Sequence, residues 1–221
     1  MIHSGNHEEL ICELYPFMTS NKEIRNTSYK KEFIKDNIYL FSRNNDNLMY
    51  CIYLAIKNTL DINKFKTNYN NIFPFLKENA ISKCKADNGL MLKTIKQSKN
   101  DFINYIFSTN KLDWNYFYGM CFYNDMVIIA IKNKIAYIYG NMDIHSVKGY
   151  ITINDNHTSF DMNLKIILDD FFIIKNPLKP IRAISNYKID ELKTICHKLD
   201  ITYDNMNKNE IYSAICKEII N

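Results

Sequence analysis

The chain has 221 residues, 47% of them hydrophobic, a net charge of +4 and a pI near 8.6. That is enough apolar material to bury a core without disulfide or metal staples. Lys and acidic residues are interspersed, so composition points to no concentrated polyanion-binding face. With only five Gly, glycine-dependent phosphate cradles are excluded, and neither a P-loop nor a diagnostic carboxylate pair is present.

Six cysteines (Cys12, Cys51, Cys84, Cys121, Cys196 and Cys216) lie far apart, without a CxxC pair. No structural zinc and no cofactor are expected, and buried free thiols of a reduced compartment are. The opening Met1 to His7 is polar, and no apolar run reaches bilayer-spanning length. The expectation is a protein of the cytoplasm or nucleus with no membrane partner.

In chain order, His7 to Met18 reads as a short helix, Thr19 to Ser28 as a loop and Tyr29 to Asp36 as a second helix. Asn47 to Thr59 is apolar almost all round, which predicts a central buried helix with Asp46 or Asn45 as N-cap. Helices are predicted over Asn71 to Lys85, Asn88 to Ser108, and Asp113 to Phe122, the last capped by Asp113. The pattern then turns β-branched and aromatic. Met126 to Ile131 and Ile135 to Tyr139 form one predicted hairpin, Gly149 to Asn154 and His157 to Met162 another. Leu164 to Ile174 is apolar and fits helix or strand. The predicted body is therefore α+β, a helical N-terminal half followed by an antiparallel sheet. Pro177 and Pro180 punctuate the chain, giving a body over 1–176, a linker over 177–186 and a helix-turn-helix module over 187–221.

In the module, Leu192, Ile195, Cys196 and Leu199 share one helical face, and Ile211, Ile215 and Ile219 another. The text YKIDELKTICHKLDITYDNMNKNEIYSAICKEI resembles the SAP motif. Leu192, Lys193, Leu199, Lys208, Glu210 and Ile211 fill its places, and Met206 stands where the family has a glycine. The resemblance implies DNA or RNA binding at the start of the second helix, with Lys188, Lys193, Asn207 and Lys208 as the contacts. A helix N-terminus beside a cation suits a phosphate oxygen. Residues 178–221 carry seven Lys/Arg against six Asp/Glu, which predicts weak binding with a shallow salt dependence. The ending PLKPIRAISNYKIDELKTICHKLDI and the early Tyr50-Cys51-Ile52-Tyr53 also resemble proteins of large eukaryotic DNA viruses of the mimivirus kind. That resemblance implies a viral protein acting in a host cell, with other virion proteins as further partners.

One constellation in the body is a candidate thiol site. Cys51 lies in the apolar helix, and His157 opens a late strand. That order resembles papain-like cysteine peptidases, including the ovarian-tumour deubiquitinases. The resemblance implies a thiolate lowered in pKa by a helix N-terminus and an imidazole; Ser159 stands at the family's place for the group that orients the histidine, with Asp155 or Asp161 as substitutes. Leu48-Met49-Tyr50 stands where the ovarian-tumour group has Asp-Gly-Asn. His197 reads as a surface residue, and His3 with His7 as a terminal pair of little chelating value. The leading expectation is a nucleic-acid-associated viral protein. A cysteine peptidase using Cys51 and His157 is the alternative, and a non-enzymatic virion structural protein a further one.

Overall fold

The computed structural model describes residues 38–41, 46–58, 62–155 and 157–220. The helices expected over His7 to Met18 and Tyr29 to Asp36, with His3 and His7, lie outside the described residues. A short strand β1 (Ile38–Leu40) precedes five helices: α1 (Asn47–Lys57), α2 (Ile62–Ala86), α3 (Leu90–Thr94), α4 (Lys99–Ser108) and α5 (Trp114–Tyr123). Strands β2 (Val127–Lys132), β3 (Ile135–Tyr139), β4 (Val147–Ile153), β5 (Thr158–Asp161) and β6 (Phe172–Ile174) follow, and α6 (Ile189–Lys198) and α7 (Lys208–Ile220) close the chain. The class is α+β.

Both predicted hairpins form: β2 pairs antiparallel with β3, and β4 with β5. The first turns without glycine because Asn133 adopts a left-handed conformation, φ 53°, which asparagine tolerates better than most residues. The sheet as a whole departs from the antiparallel expectation. Its order is β1-β5-β4-β2-β3-β6, and β2 runs parallel to β4 and β3 to β6. Pairing between hairpins depends on which faces need covering, a constraint absent from either hairpin's local sequence.

Two further departures have local causes. The helix expected over Asn88 to Ser108 is two helices, because Lys96 turns left-handed at φ 60° and Ser98 restarts the chain by accepting the Asp101 N–H. Helix α2 begins well before Asn71 and carries Pro74 inside it, at the cost of one ladder hydrogen bond.

Strand residues alternate between two cores, as a period of two requires. Ile128, Ala130, Ile151 and Phe160 face the helices, against Met49, Ile52, Phe117 and Met120. Val127, Ile129, Ala136 and Ile138 face the other way, against Leu164, Ile166 and Leu168. Those last three come from the segment between β5 and β6, where residues 162–168 alternate between half-buried and exposed. The stretch that fitted helix or strand is thus mostly an extended strap across the sheet's second face. It closes with a 3-10 turn (Leu168–Asp170) before β6.

Asp46 fixes the entry to α1. One carboxylate oxygen accepts the Met49 N–H at 3.2 Å as an N-cap; the other accepts the Leu112 N–H at 2.9 Å, from the turn before α5. The side chain is 5% exposed. Burial raises its pKa above the ordinary carboxylate value, against the opposing pull of the two amides and of Lys77. A raised folded-state pKa means that the native protein holds this proton more tightly than the unfolded chain does. Its contribution therefore falls as pH rises from 3.8 through the raised value. Asp46→Ala should cost about 2–3 kcal/mol in urea unfolding at neutral pH, because two N–H groups lose their acceptor. Asp46→Asn should flatten the fall in stability across that acidic window, measured by the same titration at stepped pH.

Candidate nucleic-acid interface

The C-terminal helices share a core with the sheet. Leu192, Ile195, Cys196 and Leu199 of α6 and Ile211, Ile215 and Ile219 of α7 pack with Ile135 of β3 and Ile174 of β6. Polar ties reinforce the seam. Tyr137 donates its hydroxyl to the Ile219 carbonyl at 3.0 Å, and Lys134 pairs with Asp200 at 3.6 Å. Lys198 reaches back to the Asp169 carbonyl at 3.3 Å.

The segment joining β6 to α6 is held at several points. Asn176 Oδ1 accepts the backbone N–H groups of Leu178 and Lys179 at 3.1 and 3.2 Å, an Asx turn that fixes the direction of Lys179. Further on, the Arg182 N–H donates to the Tyr187 hydroxyl at 3.2 Å, and the Arg182 carbonyl accepts the Tyr212 hydroxyl at 2.9 Å. The Arg182 guanidinium lies over the Tyr187 ring, 5.0 Å from its centroid, a cation–π contact that orients it.

Between this segment, β6 and α6 runs a groove of ≈590 Å³. Its floor is apolar, from Phe172, Ile174 and Ile195, and its rim carries Lys175, Lys179 and Arg182, all three exposed. Glu191 is the carboxylate in its lining, and that side chain accepts the Lys188 N–H at 2.6 Å. From Phe171 to Ile189 the chain carries four cations and no Asp or Glu. This is the local charge excess that whole-chain composition conceals.

None of the four residues expected to bind nucleic acid lines this groove. Lys188 is exposed at the start of α6. Lys193 lies two residues beyond Glu191, about 200° round the helix and so on the flank away from the groove. Asn207 is occupied as a cap: its Oδ1 accepts the N–H groups of Asn209 and Glu210 at 2.9 and 3.1 Å. Glu210 returns a bond to the Asn207 N–H at 2.7 Å, closing a reciprocal capping box. A carboxylate therefore stands where a phosphate would approach α7, and half-buried Lys208 is beside it. Lys175, Lys179 and Arg182 escaped the sequence reading because they fall in the proposed linker and its flank. The acid-free run from Phe171 to Ile189 was the signal that could have found them.

The structure places the candidate thiol in surroundings unlike those of an activated nucleophile. Asp46 is the N-cap, so Cys51 is the fifth residue of α1, past the amides of the first turn. It is 0% exposed in the helical core. Burial pushes its thiol well above the ordinary value, and Cys121 and Asp46 push the same way, the reverse of what a nucleophilic thiolate needs. His157 is exposed ahead of β5, its carbonyl accepting the Asn154 N–H at 3.0 Å. Asp161 lies four residues on, about 13 Å along an extended chain, and accepts the Asn163 N–H at 2.7 Å.

Among the described residues no group of three His, Cys, Asp or Glu side chains is placed to hold a metal ion, and no helix is long and apolar enough to cross a membrane. No family model matches the chain, and neither the curated proteins nor the solved structures contain a match. The thiol environments give a direct check. Alkylation of the native protein followed by peptide mass spectrometry should label Cys216, which is half-exposed, and spare Cys51 and Cys121 until denaturant is added. Labelling of native Cys51 at a rate like that of Cys216 would reopen the thiol site.

Proposed function

We propose that this protein is a nucleic-acid-associated binding protein, and that its contact surface is the groove between β6, the linker and α6. The observation that carries this reading is the charge of that groove: Lys175, Lys179 and Arg182 on the rim, with one already bonded carboxylate opposite. Phosphate contacts supply most sequence-independent affinity, and exposed cations along an apolar groove are what a phosphodiester backbone requires. Phe172 and the Arg182 guanidinium add flat surfaces in the same groove, on which bases stack without regard to sequence. The helical body acts as the scaffold that holds the sheet edge against α6. In this reading the Lys193 and Lys208 flanks of the C-terminal helices contribute long-range attraction rather than direct contacts.

Three cations can neutralise about three phosphates, so the logarithm of affinity for a single strand should fall with a slope of about −2 against log salt. Fluorescence anisotropy of a labelled oligonucleotide, titrated at stepped salt, measures it. Lys179→Glu and Arg182→Glu should each weaken binding several-fold and flatten the slope, whereas Lys208→Glu should change affinity by less than about twofold. Binding insensitive to salt, or lost with Lys208→Glu alone, would rule the groove out as the contact surface.

A further inference from the structure

The groove continues past the linker. Lys175 and Asn176, at one end of it, also line a second cavity of ≈310 Å³. That cavity opens where β3 and β6, running parallel, both finish: Gly140 follows one strand and Lys175 the other. Gly140 is suited to the turn, since its φ is +103° and a Cβ there would sit 2.3 Å from the Met126 carbonyl oxygen.

The walls are flat and soft. Met91 and Ile95 come from α3 and its C-cap, Tyr118 from α5, and Met142 from the loop after β3. Polar groups stand among them. Asn141 accepts the Asp143 N–H at 2.9 Å through its side-chain oxygen, which leaves its amide group as a donor beside the exposed Asp143 carboxylate, an acceptor. The neighbourhood of the mouth is apolar and uncovered: Leu90, preceding Met91, and Ile144, following Asp143, are each 61% exposed. Thioether and aliphatic walls pack on an aromatic face, and a donor beside an acceptor matches the edge of a heterocycle. The volume lies at the lower end of the range for small-ligand sites.

We propose that this cavity receives one unpaired nucleobase of the strand whose phosphates lie in the groove, with Lys175 and Asn176 at the junction between base and backbone. The inference rests on the nucleic-acid reading above and sharpens its ligand to single-stranded nucleic acid. A base inside a duplex is paired and stacked and does not reach such a pocket without being flipped out. The cationic rim and the cavity share residues, so one strand occupies both without a break.

The test uses the full chain and two labelled single strands of equal length, an oligothymidylate and the same phosphodiester with every base removed. At one salt concentration the base-bearing strand should bind on the order of tenfold tighter, as expected for one or two stacked bases. With 4-thiothymidine in the strand, ultraviolet crosslinks should map to peptides containing Met91, Tyr118 or Met142. The double substitution Met91→Ala with Met142→Ala should lower the affinity ratio of the two strands several-fold, the remainder coming from stacking on Phe172 and Arg182, and leave the abasic strand's affinity unchanged. Equal affinities for the two strands would overturn the base pocket together with stacking in the groove, leaving only its phosphate contacts; crosslinks confined to other peptides, Phe172 included, would overturn the pocket alone. Absence of salt-dependent binding by either strand would instead overturn the nucleic-acid reading itself.

Discussion

The hairpin of β2 and β3 is apolar on both faces, and the rest of the fold answers that constraint. A strand that alternates Val127, Ile129 and Ile131 with Ile128 and Ala130 leaves no side for water. The helices cover one face and the strap from Leu164 to Phe171 covers the other. Ile135, at the start of β3, is covered in turn by α6 and α7. Parallel strands are characteristically buried in this way on both faces, which fits β2 and β3 each having one parallel neighbour. At about 25 cal/mol per Å² of apolar surface removed from water, exposing either face would cost more than a domain of this size can spare.

The same constraint produces the proposed contact groove. Because α6 and α7 complete the sheet's core, the linker cannot swing free; it runs along the β6 edge, pinned by Asn176, Tyr187 and Tyr212. An apolar sheet edge, a fixed polar turn and a helix flank together make a trough. The acid-free composition of the segment gives that trough one sign of charge. The proposed interface is thus a seam between parts of one chain rather than a property of the C-terminal helices alone, whose second helix opens with a closed capping box.

Much of the secondary structure was legible in the residues. The apolar run after Asp46, the turn at Asn133 and the two apolar stripes of the C-terminal helices each carried a local signal that the fold obeys. What stayed hidden was non-local. Nothing within Met126 to Tyr139 says that β4 will lie parallel beside β2. Nothing within Leu164 to Ile174 says that its first part will cross the sheet and only Phe172 to Ile174 will join it, because the run is apolar throughout and only the faces of β2 and β3 determine its seat. The burial of the candidate thiol was hidden for a related reason. Cys51 has suitable neighbours in chain order, but accessibility is set by Phe160, Ile151 and the helices that close over it. The basic groove was hidden by averaging: +4 over the whole chain looks diffuse, while Phe171 to Ile189 holds four cations unopposed.

The reach of Lys198 from α6 to the carbonyl oxygens of Asp169 and Phe171, at 3.3 and 3.5 Å, ties the two coverings of the sheet to each other. One ammonium serves the end of the strap and the last turn of α6 at once. If α6 lifts, those carbonyls lose their donor, yet each layer keeps its own seat: α6 on Ile135, Ile174 and α7, the strap on Val127, Ile129 and Ile138. A single exposed hydrogen-bonding cation is worth about 1 kcal/mol, so it registers the two layers against each other across β6 without welding them into one unit.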